Sequence, residues 1–146
     1  MSTFGTVDPA KIALRKVKIV RATIDDSNSS VTVDIKGFRT DIVLNTALNL
    51  GDKLVKTELE LKIEADSETS FPAVCSYNIH FTFHVDNLDE LTRLENDALT
   101  LSKSLHGTLA SISYSTARGM LLDRLQNTVF QDFILPVVSS NNLVKS

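Results

Sequence analysis

With Cys75 as its only cysteine in 146 residues, the chain can form neither an internal disulfide nor a cysteine-based zinc site. It lacks the uninterrupted apolar run of about 18 residues that a membrane-spanning helix needs, so membrane insertion is not expected. The opening residues MSTFGTVDPAKIALRK lack the apolar stretch of a secretory signal, and the expected location is the cytoplasm. No excess of either charge exists: 15 basic residues stand against 18 acidic ones, a net −3, so an obligate nucleic-acid binder is not expected. Three prolines and five glycines leave little material for low-complexity linkers, and no internal repeat is visible. What remains is 42% apolar and 23% charged, the composition of an ordinary globular protein, expected as a single domain over residues 1–146.

Two periodicities meet near residue 86. Before it the period is two. Val31, Val33 and Ile35 alternate with polar residues, and Gly37 interrupts them as a bulge or bend would. Phe38, Thr40, Ile42 and Leu44 resume the alternation, and Asn49-Leu50-Gly51-Asp52 signals a turn. Leu59, Leu61, Ile63 and Ala65 then share one face, as do Ala73, Cys75, Tyr77, Ile79, Phe81, Phe83 and Val85. Lys16–Ile24 is a weaker strand candidate. After Asn87, a plausible cap, the spacing of Leu88, Leu91, Leu94, Ala98 and Leu99 predicts a first helix. A second is predicted through Leu105, Leu109, Ile112 and Leu121, with a break near Gly107. The expected fold is α+β: a four-stranded antiparallel sheet over about 12–85, followed by helices over about 88–127 packed on one face.

Little here points to bond chemistry. The nucleophile elbow, the phosphate-binding loop and the dinucleotide fingerprint are all absent, so no enzyme, catalytic residue or cofactor is expected. His80 and His84 on a strand stand roughly 13 Å apart at about 3.3 Å per residue, too far to share a metal. His106 stands alone near a helix start. Cys75, on the apolar strand face, reads as core filler. The basic run Lys11, Arg15, Lys16, Lys18 and Arg21 reads as a solvated strand face. Large apolar residues on irregular backbone are more informative. Phe38 follows a glycine at a strand bend. Phe130, Phe133 and Leu135 lie in TVFQDFILPVV, a segment too short and irregular to bury both aromatics easily. They are either core plugs or the wall of a groove for extended apolar peptides.

The segment ARGMLLDRLQNTVFQDFILPVV resembles the C-terminal part of SecB, the bacterial export chaperone, through Ala117-Arg118, Phe130 and Leu135-Pro136-Val137. KGFRTDIVLNTALNL and the hairpin KTELELKIEADSETSFPAVCSYNIHFTF are similar to the family's strands, so the likeness runs over roughly residues 10–140. It implies an ATP-independent chaperone for unfolded preproteins, with Phe38, Phe130, Phe133 and Leu135 facing a client cleft. It also implies a homotetramer built as a dimer of dimers, and SecA as a partner docking at the acidic turn with Asp66 and Glu68. The alternative is a SecB-like module dedicated to one partner, such as an antitoxin or a phage or envelope protein.

Overall fold

The computed structural model describes residues 4–25, 35–67 and 73–137. Val31, Val33 and Glu68, named above, lie outside the described residues. Four long strands form one antiparallel sheet: β1 (Ile12–Asp25), β2 (Ile35–Asn49), β3 (Leu54–Ser67) and β4 (Ala73–Val85), in spatial order β1-β4-β3-β2. The alternation read from the sequence fixes the register. Leu59 stands opposite Ile79, Leu61 opposite Tyr77 and Ile63 opposite Cys75, so the core face of the two central strands is apolar but for Thr57, opposite Phe81. On β4 every second residue is buried and those between are half-buried, as expected for a central strand with one face packed and one open.

Turn chemistry explains the hairpin joining β2 to β3. Asn49 and Asp52 bind each other through the Asn49 amide and the Asp52 backbone N–H, and Lys53 takes a left-handed φ of 58°. Gly37 sits where the β2–β3 register shifts, as its position in the sequence predicts.

The helix predicted over 88–99 does not form. Leu88–Leu91 is one turn of 3₁₀ helix, followed by a small hairpin of β5 (Thr92–Glu95) and β6 (Ala98–Leu101). Its two-residue turn, Asn96-Asp97, has φ of 51° and 65°, the paired left-handed geometry that suits tight hairpins and that Asn and Asp tolerate. Nor does the Asn87 side chain cap a helix: its amide nitrogen donates to the Thr6 carbonyl and to Glu90. The leucine spacing is therefore shared between two structures, with Leu88 and Leu91 buried and Leu94 and Leu99 exposed across the hairpin.

A single long helix, α1 (Lys103–Arg124), runs unbroken through Gly107 and ends before the predicted limit of 127. Ser102 caps it by accepting from the Leu105 N–H at 3.1 Å. Leu105, Leu109, Ser113, Ala117 and Leu121 form its buried face. A polar chain joins that face to the sheet: Ser113 donates to the Leu109 carbonyl at 2.8 Å, so the 2.7 Å contact with Thr57 is donated by the threonine. Both residues are fully buried. Ser113→Ala strands the Thr57 hydroxyl and should cost about 1–3 kcal/mol, whereas Thr57→Val with Ser113→Ala should recover much of that loss; denaturant titration of the two variants checks this.

Candidate functional site

At the end of the sheet where β2 begins, a row crosses three strands: Phe38, Ala65 and Ala73. Its two alanines leave depth for large rings on the helix side of the sheet. Phe130 and Phe133 are buried on the core side and both rings meet Phe38, at the margin of this row. Phe133 meets Phe38 edge-on at 5.1 Å between ring centroids, and Phe130 lies 6.3 Å away, tilted. The structure thus brings together the three phenylalanines singled out in the sequence, and Leu135 is buried in the same core. Phe130, Phe133 and Leu135 are buried at 0%, 5% and 1% exposure, and Phe38 is half-buried at the sheet margin. The expectation that the segment could not easily bury both aromatics is overturned. Successive turns close it on itself, with Gln131 N–H donating to Thr128 and Phe133 N–H to Phe130, so that both rings face the same way.

One contributor was not picked out in the sequence. Tyr114, on the inner face of α1, donates its hydroxyl to the Pro136 carbonyl. Burial raises the phenol's pKa, opposed by Arg118, which keeps it a donor at neutral pH. The available signal was a tyrosine at a core helical position, whose hydroxyl needs a partner. Beyond Phe38, the inner residues Thr40, Ile42 and Leu44 of β2 are also half-buried along a strand whose outer edge pairs with nothing among the described residues.

The other nominated residues lie elsewhere. Asp66 sits near the end of β3 and accepts from Arg39 at 3.1 Å; the same guanidinium holds Glu64 at 2.9 Å. The two histidines on β4 occupy the open face, His80 beside Glu58 and His84 beside Asp86, each at 3.1 Å. No cluster able to hold a metal exists among the described residues. Cys75 is buried in the core, and burial pushes its thiol pKa up to about 12, so it is not a nucleophile at neutral pH.

The architecture can now be set beside known proteins. Nine solved chains match it. One is a SecB-like chaperone of Mycobacterium tuberculosis, solved in complex with a ChAD peptide from the HigA1 antitoxin. It superposes with a TM-score of 0.55 over 89% of this chain and 92% of that one, at 13% identity. The fold is SecB-like. No family model and no curated protein sequence matches the chain. Within the SecB-like fold, the aromatic cluster lies beside an unpaired sheet edge, and no helix is long and apolar enough to cross a membrane among the described residues.

His106 gives a pH signature to this end of α1. It is hydrogen-bonded to Thr46 at 2.8 Å, and burial lowers its pKa below the usual 6.5. The unfolded chain therefore takes up this proton first, so stability should fall as pH drops below about 6.5. Thermal melts from pH 7.5 to 5 should show a shallower decline for His106→Gln.

Proposed function

We propose that this protein is an ATP-independent, SecB-like chaperone that binds non-native polypeptide through apolar contacts, without bond chemistry. The observation that carries the reading is the juxtaposition of the Phe38–Phe130–Phe133 cluster with the outer edge of β2, which pairs with nothing among the described residues. An open edge offers backbone hydrogen bonds that ignore sequence, and the half-buried row Phe38, Ile42 and Leu44 offers apolar contact to alternate side chains. Together they suit recognition of a state, the extended unfolded chain. The related fold that carries an antitoxin peptide supports a second reading, one dedicated protein partner. Light scattering separates the two: suppression of aggregation for several unrelated unfolded proteins favours the general chaperone, activity on one alone the dedicated module. In an export setting, Asp66 and Glu68 form the SecA-docking surface of this proposal, and Asp66→Lys should weaken SecA binding most at low salt.

Phe38 distinguishes groove from core, because it is the member of the cluster that remains partly exposed. Phe38→Ala should weaken affinity for an unfolded client by about tenfold or more. Its melting temperature should stay within a few degrees of the wild type. A large fall in melting temperature with unchanged client affinity would assign the ring to the core alone.

The same proposal includes a homotetramer built as a dimer of dimers, which needs two different contact surfaces. Two surfaces support it. On β1 the residues beside fully buried Phe83, Phe81 and Cys75 are Leu14, Val17 and Ile24, yet these stay 40%, 37% and 37% exposed. On α1 the exposed positions Ser104, Ser111, Ser115 and Gly119 are small, and no charged side chain occurs between Lys103 and Arg118. Sedimentation at micromolar concentration should give a mass well above 16.1 kDa. Leu14→Asp with Val17→Asp should shift it downward while far-UV circular dichroism stays the same. A wild type that is monomeric throughout removes the assembly.

A further inference from the structure

The segment after Phe133 is buried in an unusual way. From Phe133 to Leu135 its side chains alternate, Phe133 and Leu135 inserting into the core on either side of Ile134, which is 55% exposed, and the exposed Pro136 and Val137 follow. Among the described residues, the backbone from Ile134 to Val137 makes no hydrogen bond to another main-chain group. Its one tether is the Pro136 carbonyl, which accepts from the Tyr114 hydroxyl. Besides the Phe133 N–H bond to the Phe130 carbonyl, two side-chain plugs and one hydroxyl hold these five residues in place. An extended peptide lying in an apolar trough is held in the same manner, by alternate anchors with little backbone pairing.

We propose that residues 133–137 are an intramolecular occupant of the client trough, and that a client engages the Phe38 end of it by displacing them. This rests on the chaperone reading and adds its regulation. The vacated sites are those of a phenylalanine and a leucine two positions apart. The favoured client is then an extended stretch with an aromatic and an aliphatic side chain in that spacing, and exchange swaps like for like. Such a gate keeps the Phe38 and Phe130 rings out of water when no client is present. It also lowers apparent affinity by the fraction of molecules in which the trough is closed.

The test uses the full chain and reduced, carboxymethylated α-lactalbumin, a probe with no fold of its own. Tyr114→Phe removes the tether and should tighten client binding by about 3- to 10-fold. In the wild type, which needs no variant to fold, client addition should accelerate amide hydrogen exchange at Phe133, whose N–H is bonded to the Phe130 carbonyl, while β2 becomes protected. Client binding with unchanged or weaker affinity in Tyr114→Phe, or with unchanged or slower exchange at Phe133, overturns the gate and leaves the chaperone reading standing. No client binding by either protein overturns both. Binding by Tyr114→Phe alone supports a gate that is closed in the wild type.

Discussion

Four strands about 4.8 Å apart make a sheet roughly 15–20 Å across, whereas a helix with its side chains is about 10–12 Å wide. The described residues supply one such helix, and most of the surface chemistry follows from that mismatch. α1 roofs the two central strands, where Leu59, Ile63, Ile79 and Phe81 are wholly buried, and leaves the margins to other devices. At the β2 margin the irregular segment after α1 folds back with three large apolar side chains. At the β1 margin Leu14, Val17 and Ile24 are left more than a third exposed. A sheet with one packed face has two edges to manage, and this one manages them differently.

Polar atoms inside this arrangement serve position more than cohesion. The Thr57–Ser113–Leu109 chain ties a particular turn of the helix to a particular residue of β3, and a sliding helix would leave a buried hydroxyl unpaired. Hydrophobic contact alone is non-directional and would tolerate such a slide. The aromatic cluster depends on that fixed register, because the segment carrying Phe130 and Phe133 starts from the last turn of the same helix.

The parts of the fold that were legible in the sequence are those whose environment imposes a single period. β3 and β4 pack one face on the core along their whole length, so their alternation is unbroken. β1 was faint because its register shifts between Leu14 and Lys16 and again between Ile19 and Arg21, which moves the apolar set from one parity to the other. The stretch from Leu88 to Leu99 misled for the opposite reason. Its helical spacing is a coincidence of buried leucines in a 3₁₀ turn and exposed ones on a hairpin, and the Asn-Asp pair at the tip was the signal that outranked it. The aromatic residues of the candidate site were legible as a group, since large apolar side chains on irregular backbone need a common destination. Their depth of burial was not, because it depends on the segment after α1 folding back to Phe38, on a strand far away in the sequence.

Strand order also sets a schedule. β2, β3 and β4 follow one another as hairpins and can close through local contacts, but β1 pairs with β4 across long stretches of chain, Ile12 meeting Val85. Such distant pairings are slow to form because loop closure precedes any gain from contact. During synthesis β1 emerges first and waits longest for its partner. Until it docks, β4 presents an unpaired edge with bare Phe81 and Phe83 beside it, a surface prone to sticking to other chains. The nascent protein thus passes through the kind of exposed, extended state that the proposed function assigns to its clients.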